Sequence, residues 1–274
     1  MRSNNPVLSK ADSWQTQPVT GQFAPGQTYP GQVGAPYDPQ FQPAQPDLRQ
    51  QGVMTIDDGI TKSAVVMGVL MLTAALTFMY LPAQLLYPAM IIAGLVAFGT
   101  VMLVSFRRAI NPGFVLAYAA IEGVFIGAIS KVFESLYPGI VTPAVLGTFV
   151  AAGATLFAYK AFRIKVTDKF RKMIVIGTIA YAGVLFVNFI LSLFGVNTGI
   201  ISVTGQVSVI ALLASAVGVG LAVFNLILDF DYIEQGIAVR APASESWRAA
   251  FGLTVTMVWL YTEILRILSY FQRN

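Results

Sequence analysis

The stretch from Gln206 to Gly236, QVSVIALLASAVGVGLAVFNLILDFDYIEQG, decides the fold. Residues 206–228 carry no charge, and a run of that length can cross the roughly 30 Å hydrocarbon core of a bilayer as a helix. Within it Ser208, Ala211, Ser215, Gly218, Ala222, Asn225 and Asp229 recur at alternating spacings of 3 and 4. That period draws one stripe down one helical face. Small residues permit close helix contact and polar ones turn away from lipid, so the stripe is expected to face neighbouring helices or water. The run ends on three acids, Asp229, Asp231 and Glu234. Carboxylates at a helix C-terminus meet the negative pole of its dipole, which disfavours their ionised form. Asp229 ends the inward stripe, whereas Asp231, two positions on, is expected to point almost oppositely and meet headgroups or water.

The rest of the chain repeats the theme. Of 274 residues, 56% are hydrophobic and 11% charged, against about a quarter charged in a soluble domain. Apolar segments run over roughly 60–80, 85–106, 113–133, 143–162, 173–194, 206–230 and 248–271, each about one span long. The fold class expected is an all-α polytopic membrane protein of seven transmembrane helices, because lipid leaves backbone groups no partner outside a helix. There is no cysteine and no histidine. Thiolate or imidazole metal sites and Ser/His/Asp or Cys/His catalysis are thereby excluded. Apart from Asp57 and Asp58, which precede the first apolar segment, the only closely paired aspartates are Asp229 and Asp231; these occupy opposite helix faces, so an intramembrane enzyme is not expected.

Residues 1–55 differ in kind. The segment QFAPGQTYPGQVGAPYDPQFQPAQPD (22–47) is rich in Gln, Pro and Gly, cannot offset its chain entropy by burial, and is expected to be disordered. It lacks the pattern of a cleavable signal peptide. Tyr29 and Tyr37 are candidate docking contacts within it. The basic residues distribute unevenly. Arg107 and Arg108 follow the second segment, and Arg163, Lys165, Lys169, Arg171 and Lys172 follow the fourth, while the first and fifth connections have none. The positive-inside rule then predicts a cytoplasmic N-terminus and, after seven crossings, a C-terminus outside. The net charge of +4 speaks of topology; no nucleic-acid partner is expected.

Two other spans hold an acid. Glu122 lies in AYAAIEGVFIGAIS, next to Gly123-x-x-x-Gly127, a close-packing pattern. Glu263 lies in TMVWLYTEILRIL, where Gly252, Thr256, Trp259, Glu263, Arg266 and Tyr270 form a second polar face. Tyr181, Asn188 and Ser192 make a softer stripe in the fifth segment. An ionisable residue at mid-bilayer costs about 2.5–3.5 kcal/mol on insertion scales, so it usually has a partner or a task. Glu263 and Arg266, one turn apart, can neutralise each other, and Glu122 can fasten helices as a hydrogen-bond donor.

At these residues the sequence resembles the Bax-inhibitor-1-like family (transmembrane Bax inhibitor motif proteins), in particular a bacterial branch. The matching stretches are MTIDDGITK, SFRRAINPGF, AYAAIEGVFIGAIS, LDFDYIEQGI and WLYTEILRIL, in order over residues 54–271. The resemblance implies seven helices in a bacterial plasma membrane and a pH-sensitive calcium leak. It also implies an acid in the sixth helix near one in the seventh, and an arginine latch after the second. The sixth-helix acid corresponds to Asp229 and the latch to Arg107 or Arg108. The seventh-helix position is held by Thr256. Glu263 is two turns further on the same face, about 10 Å away, so a proton shared between Asp229 and Glu263 is not expected. Instead Glu263, Glu122 and Asp229 are expected to spread through the depth of the membrane.

The function expected is a pH-sensitive cation leak channel or transporter carrying calcium or protons. Oxygen is the only ligand chemistry available, and it suits a hard cation such as Ca2+, for which Asp229 is the candidate ligand. No resident cofactor is expected. Asp229, Glu122 and Glu263 are the pathway candidates; Asp231, Asn225, Thr256, Arg266 and Asn188 are secondary. Protonation of Asp229 would release Arg107 or Arg108 and move the gate. The competing expectation is a non-transporting regulator of a membrane protease or cell-death pathway, docking through residues 1–55.

Overall fold

The computed structural model describes residues 52–106, 110–196, 198–200 and 208–273. The tail before residue 52, with Tyr29 and Tyr37, and the arginines Arg107 and Arg108 lie outside the described residues. Seven helices follow one another: α1 (Ile56–Tyr80), α2 (Leu86–Phe106), α3 (Pro112–Leu136), α4 (Val141–Ala161), α5 (Asp168–Leu193), α6 (Val209–Ala238) and α7 (Glu245–Phe271). Each is long and apolar enough to cross a membrane, so the protein is an integral membrane protein of seven helices.

Polar caps, invisible to a hydropathy window, set several boundaries. Thr55 accepts a hydrogen bond from the Asp58 N–H, and Asp57 and Asp58 occupy the first turn of α1, where the dipole favours anions. That helix therefore begins before its apolar run. Asn111 caps α3 with Pro112 behind it, Thr167 caps α5, and Ser208 caps α6.

The end of α6 corrects an expectation. The helix does not stop at the acids; it runs on to Ala238. Asp229 thus lies more than two turns inside the helix, beyond reach of a dipole effect confined to the last turn. The helix continues because its hydrogen bonds run from backbone to backbone whatever the polarity of the side chains, so Tyr232, Ile233, Glu234 and Gln235 extend it although they end the lipid-crossing run.

Helix α7 is central. It packs against α1, α3, α4 and α6, and Phe251, Val258, Tyr261 and Leu265 join the main core with residues of α1 and α3. On α3, Gly123 and Gly127 press directly against α1. A Cβ at Gly123 would stand 2.5 Å from the Leu70 carbonyl oxygen, and one at Gly127 would stand 2.7 Å from Thr77 Cβ. Only glycine admits this approach, which makes the motif a true packing seam.

A short strap precedes α1. The Met54 N–H donates to the Ala241 carbonyl at 2.8 Å and the Ala243 N–H to the Gly52 carbonyl at 2.8 Å, around an isolated bridge between Val53 and Pro242. Lys62 Nζ reinforces it by donating to Asp58 Oδ2 and the Ala243 carbonyl, each at 2.7 Å. The start of α1 is thereby tied to the α6–α7 connection.

Candidate functional site

The polar stripe of α6 packs on the polar face of α7. Ala211, Ser215, Gly218 and Ala222 are buried, and Thr256 and Glu263 are buried opposite them. Contacts fix the register. A Cβ at Gly218 would lie 2.6 Å from Glu263 Cδ, and one at Gly252 would lie 3.3 Å from Asp229 Oδ1. Asp229 is eleven residues beyond Gly218 on α6, and Gly252 eleven before Glu263 on α7, so the helices run antiparallel. The two carboxylates are about 16 Å apart along the seam at 1.5 Å per residue.

The inner level is crowded with partners. Glu263 has no exposed surface. Arg266 Nη1 lies 3.1 Å from its Oε2, and Tyr181 Oη of α5 donates to its Oε1 at 2.8 Å. The Tyr181 ring stacks on Trp259 with centroids 5.7 Å apart. Ser215 Oγ is buried beside the same carboxylate without a completed hydrogen bond. This acid is a neutralised structural node, which explains how a carboxylate survives at the protein's centre.

Asp229 is placed differently. Its neighbour on α7 is Thr256, whose hydroxyl donates to the Gly252 carbonyl at 3.2 Å. Asp229 Oδ2 is buried and lacks a hydrogen-bond partner, and no cation lies within ion-pair distance of it, among the described residues. An unpaired carboxylate is costly in such a setting, where a partner is the rule.

Asp231 overturns its expectation. It is buried, and Arg171 Nη2 of α5 lies 2.8 Å from its Oδ2, with Gln235 Nε2 donating to the same oxygen at 2.7 Å. For Asp231 headgroups or water are expected, but its carboxylate is taken up by Arg171 of α5. Nearby, Tyr159 of α4 donates to Glu234 Oε2 at 2.6 Å. Asn225 also turns to α5, donating to Thr178 Oγ1 at 2.8 Å. Asn188 is buried and bonded to Thr198, whereas Ser192 stays exposed and bonds only its own helix.

Glu122 is buried on α3, and no hydrogen bond or ion pair fastens it among the described residues. Tyr118 packs on Phe251 with centroids 4.9 Å apart, and Ser130 bonds Tyr261 at 2.6 Å. Glu122 therefore stands about level with Thr254, near the depth of Asp229 but across α7 from it. The expected three-step descent does not form: two acids share one level and the third is paired. Among the described residues no group of three or more carboxylates could hold a metal ion.

A family model described as Bax inhibitor 1 like matches residues 5–273. The chain belongs to the Bax-inhibitor-1-like family. It is a family of membrane proteins with channel- and transport-like roles. A comparison with curated proteins finds no match. Within this Bax-inhibitor-1-like chain the family stretch MTIDDGITK starts in the strap at Met54 and enters α1, and LDFDYIEQGI carries both Asp229, whose Oδ2 lacks a partner among the described residues, and the ion-paired Asp231. Sequence reasoning overlooked Arg171 as a partner and Glu234 as an acceptor. The available signal was position: Arg171 lies one turn inside α5, at the level where antiparallel α6 presents its acids.

Proposed function

We propose that the protein lets a cation, calcium or protons, cross the membrane, with Asp229 as the acid whose occupancy by a proton or cation sets the conducting state. The observation carrying this reading is the buried, unpaired Oδ2 of Asp229 on the α6–α7 seam. A permanently charged carboxylate there would need a partner, so a group left without one is suited to exchange protons or a passing cation. Thr256 and the backbone around Gly252 supply the neighbouring oxygens, the ligand type that hard cations take. Glu122, buried on α3, is the second candidate, while Glu263, tied to Arg266 and Tyr181, holds helices together. The basic α4–α5 connection supports a cytoplasmic N-terminal side in a bacterial plasma membrane, with Arg107 or Arg108 as the arriving latch for Asp229.

The test is flux into proteoliposomes across a pH series, comparing calcium with other cations. Asp229→Asn is expected to abolish the pH dependence of calcium flux, whereas Glu263→Gln changes stability first. A wild-type titration profile in Asp229→Asn refutes the reading.

A further inference from the structure

Helices α1 and α4 both pack on α7, yet their backbones do not approach each other among the described residues. Between them lies a cleft of about 490 Å³ with α3 and α7 as its floor, within the roughly 300–1,000 Å³ of ordinary ligand sites. It extends along α1 from Met67 to Met79, close to the helix end at Tyr80, and along α4 from Val141, its first residue, to Phe149. Twelve residues separate Met67 from Met79, or about 18 Å of helix axis. That is about the depth of one leaflet, half of a roughly 30 Å core.

The chemistry of the lining is as specific as its length. Three hydroxyls line the cleft, and each has its hydrogen committed inside the protein. Ser130 Oγ donates to the Ile126 carbonyl at 2.5 Å, which leaves it the acceptor for Tyr261 Oη at 2.6 Å. Thr148 Oγ1 donates to the Ala144 carbonyl at 2.7 Å. No charged side chain lines the cleft. Four methionines do, Met67, Met71, Met79 and Met257, the residue that best adapts to an irregular flexible guest. The mouth is flanked by Met71, Met79 and Phe149, all exposed and all within spans, so the cleft opens onto hydrocarbon.

We infer that the α1–α4 cleft is a binding slot for one acyl chain of a bilayer lipid, entering from the leaflet that contains the α1–α2 and α3–α4 connections. The length, the hydroxyls without a free donor and the lateral mouth all fit an alkyl chain better than a polar solute or a headgroup.

Full-length protein in nanodiscs, containing a phosphatidylcholine with a diazirine on one acyl chain, tests this. After photolysis, adducts mapped by mass spectrometry are expected to concentrate on Met71, Ala75, Met79 and Phe149. The outward faces of α2 and α5 should be labelled less. Ala75→Trp on one wall and Val145→Phe on the other are each expected to cut cleft labelling by about tenfold, the change that about two excluded methylenes account for. Circular dichroism checks that both variants fold. Labelling spread evenly over all lipid-facing helices overturns the proposal. So does a cleft left without lipid adducts while the outward faces of α2 and α5 are labelled, the result expected if a helix of a second copy covers it instead.

Discussion

Of the two helices flanking α6, α5 is among the most apolar spans and α7 the least apolar, yet α7 is the one enclosed by protein. Among the described residues the backbone of α5 approaches that of α6 and of no other helix. In water this order would be reversed. Lipid is as apolar as leucine, so hydropathy in a membrane measures what faces lipid, and the polar helix is the one that must be surrounded. Their modes of attachment differ as well. Helix α7 is held by a packed core on one side and the small-residue seam on the other. Helix α5 is pinned by separate polar contacts, Arg171–Asp231, Thr178–Asn225 and Tyr181–Glu263, with a Phe98–Phe186 ring contact to α2.

The contrast can be broken most severely at α7. Arg266→Met strips the cation from buried Glu263 and is expected to cost about 3–5 kcal/mol, as for removal of one partner of a buried pair. Unfolding free energy in bicelles measures it. A loss under about 1 kcal/mol would mean that Glu263 does not depend on Arg266.

A matched pair of truncations sharpens the comparison. Leu260 on α7 has no exposed surface, while Ile179 on α5 is 66% exposed. Leu260→Ala is expected to cost about 2–5 kcal/mol through the cavity it leaves. Ile179→Ala should stay within about 0.5 kcal/mol of wild type. Equal losses in the same assay would place α5 inside the protein core.

The smallest effect tests the pins of α5. Thr178→Val removes the acceptor of Asn225 Nδ2, which keeps its bond to the Leu221 carbonyl. The expected cost is about 0.6 kcal/mol, the usual worth of an interhelical hydrogen bond in a membrane. A double-mutant cycle with Asn225→Leu isolates the pair; zero coupling would show that α5 is held by other contacts.

Much of this architecture was legible in the residues. Seven spans, the buried stripe of α6 and the glycine seam of α3 follow from period and length, because each is written locally. The stripe was expected to face neighbouring helices or water, and the helix it meets is α7. What escaped was whatever depends on register between helices. Nothing local says that Gly218 lies opposite Glu263, or that α5 stands where Asp231 points. Helix ends were missed for another reason. Hydropathy detects the lipid boundary, and both α1 and α6 extend beyond it on polar residues, so Asp229 looked terminal when it is interior.

The strap has a consequence for how the molecule is made. Its partners at Ala241 and Ala243 belong to the connection after α6, so they leave the ribosome only after six of the seven helices have been synthesised. With synthesis proceeding from the N-terminus, α1 enters the bilayer untethered. The least greasy helix is then the last to arrive. The nascent chain must hold an open centre for it, and the strap can close only as that final segment docks.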